Sequence, residues 1–535
     1  MGDTSSNSDP TKMLKVQHMK SLRGLLLRHS SHGLMLIATL AGFTVHLPTA
    51  QASGKPNILF ISVDDLKPSI GAFGDKVAVT PNIDRLAAIG IAFTNAHCQQ
   101  AVCSPSRVSL LTGLRPNATQ VWDLQTRFRD TVPQAITLPQ RFREAGYHTV
   151  GIGGKIFHGQ EDNDDEASWS ERFTRVESPS SPTWGYMDPD VVAEVERNRA
   201  NYSELPRSRK KQLNALFPNK RPPTERLDVA DNVYNDGVVT ETAVRRMTEL
   251  AELDQPFFLA VGYDKPHLPF IAPEKYWQLY NPDAFTLADV MERPEGAPLF
   301  ATQPGWELRN GYNVPEKGPV PVDLQRELIH GYYACVSYID AQVGRLLDTL
   351  EETGLRDETI VVLWGDHGFH LGDHGIWCKH TNYEQATRSP LIISAPGIGV
   401  LGSTAEAPVE FVDIYPTMLD LAGIPLHEAL HGTSLVPMIE DPHVSVKAAA
   451  ISQYPRGGGS DLKMGYAYRT DRYRLVIWRQ MDFKNGETTG PIVATELYDY
   501  EIDPFETRNL AEDPAYASVR RELESLTEEL GVATE

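Results

Sequence analysis

The sequence predicts an α/β protein: a doubly wound sheet domain followed by a smaller C-terminal α+β subdomain. Short apolar runs of strand type alternate with helical segments, two of those runs end in acidic clusters, and short alternating strands take over near residue 446. A chain of 535 residues is also longer than most single domains. We therefore divide it into an N-terminal extension at 1–52, a main domain at 55–440 and a C-terminal subdomain at 446–535.

The elements follow from the period of the hydrophobic residues. Apolar runs predict buried strands at 57–63, 148–153, 256–262 and 359–364, and longer periodic segments predict helices at 81–90 and 323–353. Residues 159–226 and 291–321 are rich in Pro, Gly, Ser and charge, which predicts two excursions over one face of the domain. Strands at 465–470, 473–479 and 496–500 and a helix at 515–530 form the C-terminal subdomain.

The N-terminus has the pattern of a secretory leader. Lys20, Arg23 and Arg28 precede an apolar stretch at 34–47, and a short Ala-Gln-Ala sequence ends at Ala52. The stretch is too short to span a bilayer, so it predicts a signal peptide cut after Ala52, with residues before Met19 as an upstream extension. We expect a secreted or periplasmic protein; an uncleaved membrane anchor is the alternative.

Composition narrows the possible partners. A formal net charge of −21 argues against nucleic acid and against stable association with anionic membranes, while 41% hydrophobic residues is typical of a soluble globular protein. Four cysteines, at 98, 103, 335 and 378, are too few for a disulfide scaffold.

Two acidic clusters follow buried strands that lie some 300 residues apart. Asp64 and Asp65 close the strand at 57–63, and Asp366 and His367 follow the strand at 359–364. In a parallel sheet these strand ends meet at one edge, and three carboxylates around one point require a cation. A hard divalent ion, most naturally Ca²⁺, is the expected ligand. Each pair taken alone also fits an ordinary cap or turn.

A third segment begins at Cys103 and reads CSPSR, followed by LTG at 111–113. Pro105 suits the first turn of a helix, so residue 103 is expected at a helix N-terminus, where backbone N–H groups and the helix dipole favour an anion. A buried cysteine at an ordinary helix start is the alternative.

Five phrases in the same order carry a family resemblance. They are VDDLKPS at 63–69, QQAVC at 99–103, GKIFH at 154–158, DKPHLPF at 264–270, and DHG at 366–368 with GIWCK at 375–379. With the CSPSR motif they make the chain resemble the formylglycine-dependent (type I) sulfatases of the alkaline phosphatase superfamily, and within them the iduronate-2-sulfatase branch.

The resemblance implies an alkaline-phosphatase-like fold and an exported sulfatase. It implies that a formylglycine-generating or sulfatase-maturating enzyme converts Cys103 to formylglycine. One hydroxyl of the hydrated aldehyde attacks sulfur, and the second lets sulfate leave without a water attack. If Cys103 is converted, the three remaining cysteines allow at most one disulfide within a chain.

The resemblance also assigns roles to residues. Calcium ligands would be Asp64, Asp65, Cys103, Asp366 and His367. Arg107 and Lys155 would hold the hydrate, and His158 would take up a proton when the sulfated intermediate collapses. Lys379 would bind the sulfate oxygens, and His267 would protonate or steady the departing oxygen.

Substrate choice depends on fewer residues. Lys67 stands where the iduronate branch has arginine and Phe369 where it has tryptophan, so we expect Lys67, His267 and Lys379 to bind substrate and the pocket wall to differ. Five further residues, one aromatic and four charged, either line a sugar cleft or form ordinary surface: Trp122, Arg127, Arg129, Asp164 and Asp165. The expected substrate is a 2-O-sulfated uronic acid in a glycosaminoglycan-like or other sulfated polysaccharide.

Two other functions remain open at this stage. A phosphodiesterase or phosphonate monoester hydrolase of the same superfamily would share the fold and the metal cluster. An inactive carbohydrate-binding relative would keep the fold without turnover.

Overall fold

The computed structural model of the protein describes residues 54–176, 185–203, 220–427, 429–482 and 490–531. The predicted leader at 1–52, with its apolar stretch and the cut after Ala52, lies outside these residues. The described residues all belong to one compact unit, so the domain boundary near residue 440 stays a prediction. Within the described ranges, no helix combines the length and the apolar character needed to cross a membrane.

The strands of the described chain are β1 (Asn57–Val63), β2 (Ile91–Phe93), β3 (Ala96–His97), β4 (His148–Gly153), β5 (Thr224–Leu227), β6 (Phe257–Tyr263), β7 (Phe270–Pro273), β8 (Thr359–Gly365), β9 (His370–Leu371), β10 (Trp377–Cys378), β11 (Leu391–Ser394), β12 (Ser403–Ala405), β13 (Val409–Glu410), β14 (Ala450–Arg456), β15 (Lys463–Arg469), β16 (Tyr473–Gln480) and β17 (Ile492–Asp499).

The α-helices are α1 (Pro81–Ala88), α2 (Cys103–Thr112), α3 (Pro116–Thr119), α4 (Phe128–Thr131), α5 (Leu138–Glu144), α6 (Gln160–Asn163), α7 (Pro189–Ser203), α8 (Asn235–Leu250), α9 (Glu274–Trp277), α10 (Trp306–Gly311), α11 (Val322–Glu352), α12 (Glu384–Thr387), α13 (Ile414–Leu421), α14 (Val436–Glu440) and α15 (Ala517–Leu530). The predicted strands and helices are confirmed; most of their ends differ by one or two residues, where regular structure frays, and the last C-terminal strand begins four residues earlier than predicted.

The central sheet has the strand order β12-β2-β11-β8-β1-β6-β4. Strands β4, β6, β1 and β8 run parallel, which confirms the doubly wound core. Strand β11 pairs antiparallel with both β8 and β2, so the sheet is mixed and not purely parallel. The apolar run of β11 carries no mark of its direction, because a strand buried on both faces has the same composition in either orientation.

Both faces of the sheet are covered by helices. Within β1, Leu59, Ile61 and Val63 belong to a core shared with α8 and α11, whereas Ile58 and Phe60 belong to a core shared with α2 and α13. All seven residues of β1 are buried, which explains its unbroken apolar sequence.

The register of the parallel strands delivers several loops to one edge of the sheet. Val63, the last residue of β1, pairs with Tyr263 of β6 on one side and with Gly365 of β8 on the other. The backbone N–H of Asp64 donates to Tyr263 O at 3.1 Å, and that of Asp366 donates to Val63 O at 3.1 Å. Residues that follow β1, β6 and β8 therefore leave the sheet side by side.

The C-terminal strands β14 to β17 form an antiparallel sheet in chain order. Strand β14 lies against the segment that precedes α2. The Gln453 N–H donates to Gln99 O at 2.7 Å, and Ser452 Oγ donates to Cys98 O at 2.6 Å. The C-terminal sheet is thus fastened to the chain a few residues before Cys103.

Among the described residues, the first predicted excursion contains α6, α7 and the start of β5, and the second contains α10. Helix α7 was not predicted, because Ser, Pro and charged residues around it masked its helical pattern.

A test of this packing lies at Gly262 in β6. A Cβ atom there would lie 2.7 Å from the backbone carbon of Lys155 and 2.9 Å from the Ile156 nitrogen, and backbone cannot move aside as a side chain can. We expect Gly262→Ala to lower the free energy of unfolding by roughly 1–3 kcal/mol, the usual cost of overpacking.

Gly458→Ala is the matched control, because a Cβ at Gly458 meets no atom within 4 Å. Urea unfolding of both variants measures the difference. Equal stability of the two would contradict the close approach of β6 to the segment after β4.

Candidate active site

Five side chains from three strand-end and helix-start positions meet at this edge of the sheet. Cys103 is the first residue of α2, Asp64 and Asp65 follow β1, and Asp366 and His367 follow β8. Possible ligand atoms of Asp65, Cys103 and His367 lie within 4.8 Å of one another, as do those of Asp64, Cys103 and Asp366. All five residues are buried.

Two buried cations, Arg107 and Lys379, and the partly exposed Lys155 face the three carboxylates. Arg107 donates from Nη2 to Asp64 Oδ1 at 2.8 Å and from Nε to Asp366 Oδ2 at 3.0 Å. Lys155 Nζ lies 2.6 Å from Asp64 Oδ2. Lys379 donates to both oxygens of Asp65, at 2.8 and 2.9 Å. Each carboxylate therefore has at least one cationic partner.

The pKa values follow from burial and from these pairs. Burial alone would raise the pKa of Asp64, but Lys155 and Arg107 hold it well below its usual range. Burial, with Lys155 adding to it, lowers the pKa of His158 to about 3, so its ring is neutral. Burial and Asp64 raise the pKa of the Cys103 thiol well above its usual range. An unmodified Cys103 is therefore protonated and a weak nucleophile.

The backbone of Asp65 adopts the left-handed region, with φ 60°, which costs roughly 1–3 kcal/mol in a residue other than glycine. Its N–H donates to Asp366 Oδ1 at 2.9 Å. The hydroxyl of Tyr332 spans the same turn: it donates to Asp65 O at 2.7 Å and accepts from the Lys67 N–H at 2.8 Å. Tyr332 is thus a brace for this turn.

The donor set fits a divalent cation. Three carboxylates supply hard oxygen ligands, the kind that Ca²⁺ prefers. His367 Nδ1 lies 2.9 Å from Gly368 O, to which it donates, so Nε2 is the nitrogen turned toward the cluster, 3.4 Å from Asp65 Oδ1 and 3.6 Å from Cys103 Sγ. An imidazole is a softer ligand than calcium sites usually contain.

His267, on the loop after β6, approaches the cluster from the side. Its Nδ1 lies 2.6 Å from Leu268 O, and its Nε2 lies 3.1 Å from Glu307 Oε1 and 4.0 Å from Asp65 Oδ2. Burial and Lys379 oppose a charge on the ring, but Asp65 and Glu307 outweigh them and raise the pKa of His267.

A cavity of about 340 Å³ opens beside Lys155 and His267. Arg221 also lines it; its guanidinium lies over the ring of Tyr312 at 4.6 Å and donates to the Tyr312 hydroxyl at 3.1 Å. The cavity wall therefore presents several cations next to the cluster.

Two residues expected at the substrate have other surroundings. Lys67 Nζ lies 3.9 Å from Asp373 Oδ2, and Lys67 lines two separate cavities. Phe369 is fully buried, with its ring stacked 5.4 Å from that of Tyr332, so it supports the brace and is not an exposed pocket wall.

The five residues expected either to line a sugar cleft or to form ordinary surface are bonded to neighbouring side chains. Arg129 donates to both oxygens of Asp165, at 2.8 and 2.9 Å, and Arg127 Nε lies 3.0 Å from Glu161. Asp164 pairs with Arg175, and Trp122 Nε1 donates to Asn117 at 3.4 Å. These contacts are typical of a charged surface.

All four cysteines fall within the described residues and are unpaired and buried. Sequence reasoning missed three residues of the site region, Glu307, Tyr332 and Arg221. Glu307 and Arg221 lie in or beside the excursions, where no periodicity marks a side chain, and Tyr332 looks like one more aromatic residue in an amphipathic helix.

Comparisons with known proteins agree on one family. The family model described as Sulfatase matches residues 56–424, and the one described as N-sulphoglucosamine sulphohydrolase, C-terminal, matches residues 372–532. Iduronate 2-sulfatase of Homo sapiens is 34% identical over 553 residues, which cover 90% of this chain and 96% of the relative.

Two solved structures share the fold. A protein in complex with its substrate D-glucosamine-2-N,6-O-disulfate superposes with a TM-score of 0.66 at 23% identity, over 90% of this chain and 98% of its own. The phosphonate monoester hydrolase of Agrobacterium radiobacter superposes with a TM-score of 0.65 at 23% identity, over 89% of this chain and 95% of its own.

The brace by Tyr332 predicts a specific effect of Tyr332→Phe. Without the hydroxyl, Asp65 O and the Lys67 N–H lose a buried partner, so the strained turn is less fixed and the affinity for a divalent cation should fall. We expect a smaller stabilisation by saturating Ca²⁺ in thermal unfolding, relative to chelator, than in the unchanged protein.

Tyr333→Phe is the control, because the neighbouring hydroxyl donates to Asp75 Oδ2 at 2.7 Å, away from the cluster. If the two variants showed the same stabilisation by Ca²⁺, the assigned role of Tyr332 would be wrong.

Proposed function

The chain belongs to the sulfatase family and is a sulfuric ester hydrolase of the iduronate-2-sulfatase type, and we propose that its substrate is a 2-O-sulfated uronic acid residue of a glycosaminoglycan-like or other sulfated polysaccharide. The observation that carries the proposal is that Arg107, Lys155 and Lys379 contact the carboxylates that surround Cys103, at the start of α2, beside a cavity lined by Lys155 and His267. Sulfate ester hydrolysis requires positive charge at the sulfuryl oxygens and an acid at the bridging oxygen.

Residue 103 supplies the nucleophile after conversion to formylglycine, whose hydrate offers one hydroxyl for attack and a second for release of sulfate. The protonated thiol of unmodified Cys103 is a poor substitute. Arg107 and Lys155, held by Asp64 and Asp366, keep positive charge beside this position. His158 is neutral and takes up the proton when sulfate leaves.

Ca²⁺ is the proposed metal, and Asp64, Asp65, Asp366 and His367, with residue 103, would hold it. The bound ion would supply charge neutralisation for the carboxylates and polarise a sulfate oxygen. Lys379 holds the sulfate group, and His267 directs Nε2 toward the cluster and protonates the departing sugar oxygen.

The cavity beside His267 is the proposed sugar site. Arg221 offers a planar guanidinium that matches a carboxylate, which supports a uronic acid and the iduronate-type substrate named for the human relative. Lys67 was expected to bind this carboxylate from the sequence, but its ammonium lies near Asp373 and it lines other cavities, so we assign the carboxylate to Arg221.

A phosphonate monoester hydrolase is the second candidate, because that enzyme shares the fold at a TM-score of 0.65. Relative rates on sulfate monoesters, phosphonate monoesters and phosphodiesters separate the two functions. Turnover of any of these substrates would dismiss an inactive carbohydrate-binding relative.

Export and maturation complete the proposal. A leader ending at Ala52 would deliver the protein to the periplasm or the exterior, and a formylglycine-generating or sulfatase-maturating enzyme would modify Cys103 first. Domain boundaries at 55–440 and 446–535 belong to the same proposal.

Replacing Cys103 tests the nucleophile. In a host that converts only cysteine, Cys103→Ser offers one hydroxyl where the chemistry needs two, so kcat should fall by about 10⁴ to 10⁶, as for loss of a nucleophile. Steady-state hydrolysis of an aryl sulfate measures this, with circular dichroism as the check on folding.

Cys103→Ala in the same host is the matched control and should lose as much. The mass of the peptide containing residue 103 from active protein identifies thiol or aldehyde directly. A thiol mass in fully active enzyme, or wild-type turnover by Cys103→Ser, would refute the formylglycine mechanism.

Arg221 and Lys67 give a second test. Arg221→Ala should raise KM for a 2-O-sulfated uronoside by roughly ten- to a hundredfold, the loss of a charge-assisted hydrogen bond, and leave an aryl sulfate nearly unchanged. Lys67→Ala, with its ion pair to Asp373, is the comparison. A raised KM in the Lys67 variant alone would show that Lys67, and not Arg221, binds the uronate carboxylate.

A further inference from the structure

Glu307, on the short helix α10 of the second excursion, contacts both His267 and Lys379, with a carboxylate oxygen 3.1 Å from each. We propose that Glu307 is a positioning residue that holds the His267 ring in the orientation needed for leaving-group protonation, and so favours esters of poor leaving groups. This inference rests on the proposed function, in which His267 is the acid.

Both oxygens of Glu307 contact a donor. Oε1 lies 3.1 Å from His267 Nε2 and accepts from Lys379 Nζ at 3.3 Å, and Oε2 lies 3.1 Å from Lys379 Nζ. Lys379 has a second anchor in Asp65, through two hydrogen bonds at 2.8 and 2.9 Å. Loss of Glu307 would therefore leave Lys379 held, whereas His267 would keep no carboxylate closer than Asp65, 4.0 Å away.

The two nitrogens of His267 are held from opposite sides. Nδ1 donates to Leu268 O at 2.6 Å, which leaves Nε2 as the nitrogen that faces the cluster. Glu307 is the acceptor at Nε2, so the carbonyl and the carboxylate together fix the plane of the ring. In the reaction the S–O bond breaks, its electron pair stays on the sugar oxygen, and the Nε2 proton leaves its contact with Glu307 and transfers to that oxygen, so that the ring becomes a neutral imidazole.

The segment that carries Glu307 is itself firmly held. Arg309 donates from Nη1 to Pro315 O at 2.6 Å and from Nη2 to Gly318 O at 2.8 Å, which closes the loop around α10. Gln303 donates from Nε2 to the backbone oxygens of Trp377 and Lys379, at 3.0 and 2.8 Å. The excursion and the strand before Lys379 thus form one unit, and Glu307 cannot drift from Lys379.

An amide in place of the carboxylate separates this role from simple space filling. Glutamine has the same shape but no charge and a single acceptor oxygen, so its NH₂ group would stand beside either the Lys379 ammonium or the His267 N–H. The negative charge that Glu307 presents to Lys379 and His267 is lost in Glu307→Gln while the volume is retained.

The experiment compares a 2-O-sulfated uronoside and a simple alkyl sulfate, which both release a poor leaving group, with a nitrophenyl sulfate, which releases a good one. We expect Glu307→Gln to lower kcat on the first two by about 10- to 100-fold, a part of the usual contribution of a general acid, and on the nitrophenyl ester by less than about threefold. Glu316→Gln, on the same excursion and paired with Lys220 at 3.4 Å, is the matched control and should match the unchanged enzyme.

Glu307→Gln in the His267→Ala background tests whether Glu307 acts through His267. If Glu307 acts through His267, the double variant should be no slower on the alkyl sulfate than His267→Ala alone. Additive losses, equal losses on aryl and alkyl esters, or an unchanged kcat on the alkyl sulfate would each overturn the proposal.

Two checks keep the outcomes distinct. Thermal unfolding of Glu307→Gln should match that of Glu316→Gln. If it does not, Glu307→Asp, which retains two acceptor oxygens, is compared with Glu307→Gln and should have the higher activity on the alkyl sulfate. An activity no higher than that of Glu307→Gln would count against the proposal. A wild-type enzyme that ignores the uronoside but hydrolyses alkyl sulfates would refute the proposed substrate and leave the role of Glu307 testable on the alkyl ester.

Discussion

Buried charge is the constraint on which the arrangement of this protein depends. Asp64, Asp65 and Asp366 have no exposed surface, and an unpaired buried charge costs several kcal/mol even after relaxation. Each is matched by Arg107, Lys155 or Lys379, which come from α2, from the loop after β4 and from the strand β10 segment. The chain can bury these carboxylates only if those separate segments come together. The contacts that neutralise the buried charges are therefore the same contacts that assemble the site.

The ion pairs between these carboxylates and cations also bear on substrate binding. In a chain without metal the cations neutralise the carboxylates; a divalent ion bound to the carboxylates would take over that task and leave positive side chains to face an anionic ester. A protein with a net charge of −21 can therefore attract a sulfated saccharide, because the charge that matters is local to the cavity beside Lys155, His267 and Arg221.

The sequence predicted the position of a residue where a local pattern has a single structural explanation. The run at β1 followed by two aspartates, the proline in the first turn after Cys103, and the run at β8 followed by Asp366 and His367 each predict a position at the sheet edge, and the structure has all three there. It did not predict the residues that reach the site from the excursions, because the sequence around Glu307 and Arg221 has no hydrophobic periodicity that would fix their positions. Lys67 is expected at the substrate from its place in the family resemblance, but a position in the sequence does not fix the direction of a long side chain, which here extends toward Asp373.

Strand β14 closes over the chain just before α2, with Gln453 bonded to Gln99 and Ser452 bonded to Cys98. Residue 103 is synthesised some 350 residues before that strand, and in the folded protein its side chain is buried. If Cys103 is the target of a modifying enzyme, that enzyme has to reach it on a nascent or still unfolded chain. The time available for the modification would then be set by the speed of synthesis and folding, so a variant that folds faster would leave less time for it.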